Sequence, residues 1–146
     1  MPTPEQLTLT QQRYLETVFG LHRDTGRARV TDLARRLQIS LPSASETLKR
    51  LIDRGLVVRK SRHELALSRR GQSIARKLDR RHAALRRFMV EVLAMDGAAA
   101  EQNACRMEHF AGPQLIERCV ALVDFLQHQS TGADCLKEFR TRCKKN

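Results

Sequence analysis

The chain has 146 residues, 41% hydrophobic and only 4% aromatic, enough for one domain or two small ones with a buried core. Lys and Arg number 27 against 16 Asp and Glu, a formal charge of +11, and such an excess favours a polyanionic partner. No run of about 18 apolar residues is present, so no segment reads as a membrane-spanning helix, and a chain without Trp is poorly equipped to stack single-stranded bases, so contact with a duplex backbone fits better.

The opening stretch, MPTPEQLTLTQQ, lacks the basic-then-apolar order of a signal peptide, which places the protein in the cytoplasm. The four cysteines, Cys105, Cys119, Cys135 and Cys143, form no CxxC pair, which argues against a zinc ribbon. A reducing cytosol also argues against a structural disulfide. Free thiols, metal ligands or redox sensors remain.

A first helix is expected from Thr8, where Thr8-Leu9-Thr10-Gln11 has the form of a capping box. Its apolar stripe is Leu15, Val18 and Leu21 or His22, and Gly26 ends it in a turn. Arg29-Val30 reads as a short extended entry, with Thr31 capping a brief helix from Asp32 to Leu37. After a tight turn at Gln38-Ile39-Ser40, a second helix starts with Ser40 as cap and Pro42 in its first turn. Ala44, Leu48 and Leu51 face inward and Gly55 stops it. Two short helices joined by a three-residue turn, the second capped and basic, are a helix-turn-helix signature. Leu56 to Lys60 and Glu64 to Leu67, joined by Ser61-Arg62-His63, read as a two-stranded hairpin with a basic tip, a wing from which Arg62 reaches backbone or minor groove.

A long helix is expected from Ser68 towards Ala94, with Ile74, Leu78, His82, Leu85, Met89 and Val92 as its stripe. Eight residues between Arg69 and Arg87 are basic, and Asp79 alone is acidic. Asp96-Gly97 breaks the chain, and another helix ends at Gly112-Pro113. A helix from Gln114 to Gln129 turns Leu115, Cys119, Leu122, Val123 and Leu126 to its apolar side. After a turn at Ser130-Thr131-Gly132, a last helix runs from Asp134 towards Cys143. The fold class is therefore mainly α, a winged helix-turn-helix over residues 1–72 followed by an all-helical dimerisation domain over 73–146. Two reading heads on one homodimer suit two half-sites of a palindromic operator. The apolar faces of the long and penultimate helices would form the dimer seam, although an intramolecular core explains the same stripes.

The helix before Gly112 carries Ala104-Cys105-Arg106-Met107-Glu108-His109. At about 100° per residue, Cys105, Glu108 and His109 share an arc of roughly 100°. A thiolate, a carboxylate and an imidazole on one side have a common use in holding a divalent ion. The plainer reading is a small buried cysteine beside a solvated Glu-His pair. No arrangement of nucleophile, base and orienting group emerges, so an enzyme is the least favoured class.

With the winged helix followed by RRHAAL, FMVEVLAMD and ACRMEH, the chain resembles the diphtheria toxin repressor and manganese transport regulator family. The resemblance runs from Gln11-Gln12-Arg13-Tyr14-Leu15-Glu16 to about Phe125. It implies a dimeric, metal-activated repressor of metal-homeostasis genes, in the two-domain form without a third, barrel-like domain. It also implies metal ligands: Cys105, Glu108 and His109 match an iron-type primary site, His82 a ligand that both branches use, and Glu16 a first-helix carboxylate of the manganese type. A thiolate at 105 would favour Fe²⁺, with Mn²⁺ as the alternative. Arg13 departs from the family, which places a ligand there, and Arg86 and Glu101 replace a Glu and a His of an ancillary site. Arg13 has two expected fates: to swing into solvent, or to fold inward and pair with Glu108 or Glu16 as a stand-in for the ion.

For DNA, the resemblance points to Ser40, Pro42, Ser43, Ser45 and Glu46 on the exposed N-terminal part of the second helix of the helix-turn-helix. Hydroxyls there suit phosphates. Glu46 could accept from a cytosine amino group or complete a capping box with Ser43. Lys49 and Arg50 would bind backbone. Two other functions remain open. One is a thiol or iron–sulfur sensor using Cys105, Cys135 and Cys143; the other is a metal-independent DNA coater with a vestigial site. For Cys135 and Cys143 the simpler expectation is a buried apolar seam.

Overall fold

The structure, a computed structural model, describes residues 6–128 and 130–143. Its elements run α1 (Leu9–Thr25), β1 (Ala28–Arg29), α2 (Val30–Leu37), α3 (Leu41–Asp53), β2 (Val57–Arg59), β3 (Glu64–Leu67), α4 (Arg69–Glu91), α5 (Gly97–Met107), α6 (Pro113–His128) and α7 (Ser130–Cys143). The chain divides into two compact units between Asp79 and Arg80, inside α4.

In the first unit, α1 starts on the expected capping box. Thr8 Oγ1 accepts from Gln11 N–H and Gln11 Oε1 accepts from Thr8 N–H, both at 3.2 Å. Gly26 closes the helix at φ 73°, a left-handed conformation that glycine adopts without a Cβ clash. The turn between α2 and α3 places Gln38 at φ 56°, and its N–H caps α2 by donating to Ala34 O and Arg35 O. Ser40 then caps α3, its Oγ accepting from Ser43 N–H at 3.3 Å. Leu15 and Val18 of α1, Leu33 of α2, and Leu48 and Leu51 of α3 lose all contact with water. Each such burial stabilises the unit by about 1.5–3 kcal/mol.

The expected hairpin is present as β2 and β3, and β1 joins it as a third strand. The strand order is β1-β3-β2, both pairings antiparallel, with Ala28 opposite Leu65 and Val57 opposite Leu67. Val30, expected to be extended, already belongs to α2, so Arg29 and not Thr31 occupies the cap. The third strand gives the wing the extra hydrogen bonds that an isolated hairpin lacks. His22 of α1 adds a tether, its Nε2 donating to Leu65 O at 2.8 Å.

The start of α4 is locked to the end of α3. Ser68 N–H donates to Leu56 O, its hydroxyl donates to Gly55 O at 2.8 Å, and its Oγ accepts from Gly71 N–H at 3.0 Å. A Cβ at Gly71 would stand 2.0 Å from Leu56 O, so only glycine permits this approach. The helix ends at Glu91, three residues short of the expected Ala94, which takes a left-handed φ of 56°.

In the second unit, Leu85 and Met89 of α4 pack on Ala100 and Ala104 of α5 and on Cys119 of α6. Alanines four residues apart lie on one helix face, and their small size lets α5 come close to α4. The helix α7 begins at Ser130, ahead of the expected Asp134, with Gly132 tight against the Leu126 backbone.

Candidate functional site

The sequence pattern expects Cys105, Glu108 and His109 to point one way from one helix. The helix α5 instead ends at Met107, with Glu108 as its cap. Its buried seam runs through Ala100 and Ala104 and continues at Glu108, which is only 3% exposed. Cys105, one residue after Ala104, is rotated about 100° from that seam and is exposed. Among the described residues, no cysteine joins two other His, Cys, Asp or Glu side chains closely enough to share an ion.

Glu108 is the centre of a polar cluster inside the second unit. Its Oε2 accepts from His82 Nδ1 at 2.7 Å, and its Oε1 lies 3.5 Å from Nε2 of His109, whose side chain is 6% exposed. The other nitrogen of His82, Nε2, donates to Glu101 Oε1 at 2.8 Å, and Arg86 Nε holds Glu101 Oε2 at 3.0 Å. Both nitrogens of His82 thus face carboxylate oxygens, which requires a proton on each. Its pKa is accordingly pushed up to about 9, first by the hydrogen bond to Glu108 and then by the charges of Glu108 and Glu101, against partial desolvation.

Glu101 and Arg86, expected only as replacements of ancillary ligands, complete this cluster. The available signal was periodicity: His82 and Arg86 are four apart on α4, and Glu108, the cap of α5, stands seven residues after Glu101, so each pair shares a face. Glu16 lies half-buried on α1 of the first unit. Arg13 is exposed, and with Thr10, Tyr14, Ser43 and Thr47 it lines a cleft of about 250 Å³ beside α3.

Two imidazoles converging on a buried carboxylate fit a divalent first-row ion, whose borderline character suits nitrogen and oxygen together. A buried carboxylate without a cation is costly; here the His82 imidazolium supplies one.

On the first unit, Ser40, Pro42, Ser43, Ser45, Glu46, Lys49 and Arg50 are all exposed along α3, and Arg62 is exposed at the wing tip. Glu46 does not complete a capping box; its Oε1 accepts from Arg50 Nη2 at 2.6 Å, one turn along the helix. The C-terminal thiols also depart from expectation. Cys135 and Cys143 are exposed, the large apolar side chain that α7 buries among its described residues is Leu136, and Cys143 borders a cleft of about 270 Å³ with Val90, Ala94, Met95 and Arg140.

Residues 6–65 match the iron dependent repressor N-terminal DNA binding domain, and residues 68–136 match the iron dependent repressor metal binding and dimerisation domain. The chain belongs to the iron-dependent repressor family. An HTH-type transcriptional regulator, MntR, from Shouchella clausii is 29% identical over 142 residues, covering 97% of this chain and 95% of the relative. The diphtheria toxin repressor of Corynebacterium diphtheriae is 28% identical over 119 residues, 82% of this chain but only 53% of that protein. Among solved structures, a manganese-dependent transcriptional repressor in complex with manganese superposes with a TM-score of 0.71 at 26% identity, over 79% of this chain and 53% of the other. This iron-dependent repressor homologue therefore spans nearly all of one relative and about half of the others. No helix among its described residues is long and apolar enough to cross a membrane.

Proposed function

We propose that this chain is a cytoplasmic, homodimeric repressor that binds a palindromic duplex operator when a divalent metal occupies the cluster around Glu108, and that it governs metal-homeostasis genes. The observation that carries the reading is a carboxylate 3% exposed between two imidazoles, in a chain whose other unit presents an α3 with exposed hydroxyls and the exposed cations Lys49 and Arg50.

His82, Glu108 and His109 would hold the ion, and Glu101 stands beside His82 to orient it. Bound metal would supply the positive charge that the His82 proton supplies in the arrangement seen here. Glu16 enters as a further candidate ligand, and its variant is read separately. Nitrogen and oxygen donors suit Mn²⁺ as well as Fe²⁺; Cys105 is the residue that would tilt the choice to iron. On the first unit, Ser40, Ser43 and Ser45 would donate to phosphates, Lys49, Arg50 and Arg62 would supply charge, and Pro42 and Glu46 would meet base edges.

Isothermal titration of chelator-stripped protein with Mn²⁺, and anaerobically with Fe²⁺, tests the metal reading. Saturable binding is expected, with Glu108→Gln and His109→Gln each weakening it at least tenfold and Glu16→Gln reporting whether that carboxylate takes part. A Cys105→Ser variant that weakens Fe²⁺ and leaves Mn²⁺ unchanged would add the thiol to the ligand set. Wild-type protein that takes up neither ion would leave the metal-independent coater.

A further inference from the structure

The first two turns of α4 break the electrostatic rules for a helix start. A helix N-terminus carries the positive end of the backbone dipole and favours acidic side chains. Here the first turn holds no acid, and its first two positions are Arg69 and Arg70. Arg76 and Lys77 follow two turns later. At about 100° per residue the four cations fall in an arc of roughly 120° with Ser73 at its middle, and all five side chains are exposed. No acid stands three or four residues from Arg69, Arg70 or Lys77. The one acid in reach of Arg76, Asp79, is taken by Arg23 of α1 at 3.0 Å. Among the described residues none of the four makes an ion pair. A fold that spends local stability in this way at one place has a use for the charge.

We infer that this stripe is a second phosphate-binding surface, which grips the backbone of a DNA duplex outside the steps read by α3. The inference rests on the reading that the first unit binds duplex DNA. The stripe belongs to that same unit, and the Ser68 and Gly71 contacts with Gly55 and Leu56 fix it to the end of α3. Its four charges form two adjacent pairs about 10 Å apart along the helix axis, roughly three phosphate steps of one strand. A duplex strand carries one phosphate per 3.4 Å of its own axis. Three of the four are arginines, whose planar forks engage phosphate oxygens in pairs.

The test uses full-length protein with Mn²⁺ present and a fluorescein-labelled 40-base-pair duplex of random sequence, titrated across a range of salt. Arg69→Glu/Arg70→Glu and Arg76→Gln/Lys77→Gln should each weaken binding, and each pair should flatten the plot of log affinity against log salt by about two units. The Tm of Arg69→Glu/Arg70→Glu should be unchanged or higher, because acids suit that helix end; the loss of binding then cannot be assigned to unfolding. If both pairs bind as wild type while Lys49→Gln/Arg50→Gln loses affinity, the inference fails and the DNA-reading function stands. If wild type does not bind the duplex at all, both fall. Poly-L-glutamate that competes charge for charge as well as unlabelled duplex would make the partner an acidic protein and overturn the inference.

Discussion

Glu108 shows how much a single buried carboxylate constrains its surroundings. Its two oxygens face His82 at 2.7 Å and His109 at 3.5 Å, and the proton on His82 is the counter-charge that makes its burial tolerable. The His82 pKa, about 9 in the fold against roughly 6.5 in an unfolded chain, links stability to pH with a definite sign. The folded state binds that proton more tightly, so the contribution is complete below about pH 6.5 and is lost as pH rises through about 9. In chelator-treated protein the Tm gap between wild type and His82→Gln should therefore shrink between pH 6.5 and pH 9.5; a gap that does not change with pH would contradict it. Glu108 and His109 were legible in the sequence from their helical spacing, whereas His82, on another helix, was legible only through the family resemblance. The exposure of Cys105 was not, because which side of α5 turns inward is set by the packing of Ala100 and Ala104. The Arg86–Glu101 pair was equally hidden, since helix-to-helix register decides which shared faces meet.

At the scale of the element, caps and glycines carried the information that made the first unit legible. The Thr8 capping box, the Ser40 cap and Gly55 at φ 67° stand where local chemistry places them. Ser40→Ala should cost about 1 kcal/mol, measured by urea unfolding, and should loosen α3 at the end proposed to meet DNA. Gly71→Ala is expected to cost more, about 3 kcal/mol, because its Cβ would overlap Leu56 O; a wild-type midpoint for this variant would mean the α4 entry is not as close as described. Gly71 was invisible in the sequence because its role depends on a backbone 15 residues earlier. β1 was missed for a related reason: two residues show no periodicity, and Ala28–Arg29 is a strand only because β3 offers it a partner.

At the scale of the whole molecule, the apolar residues of α6 serve two purposes, which is why sequence alone could not assign them. Cys119 and Val123 are buried within the second unit, while Leu115, Leu122 (42% exposed) and Phe125 (61% exposed) form a separate stripe. These three fall within an arc of about 80°, a contiguous apolar face of the kind that marks an interface, in a region that matches a metal binding and dimerisation domain. Leu122→Glu/Phe125→Glu should convert a dimer to a folded monomer in sedimentation equilibrium, with helical circular dichroism retained; a wild-type monomer would remove the paired-half-site reading. Control of DNA binding by metal at the Glu108 cluster is the proposal on which the rest depends. It is tested most directly by fluorescence anisotropy of chelator-stripped protein on a palindromic duplex selected from a random pool with Mn²⁺ present. Mn²⁺ or Fe²⁺ should raise affinity by about 10–100-fold, and Glu108→Gln should lose this response while still binding random duplex weakly. Equally tight binding in metal and in chelator would contradict it.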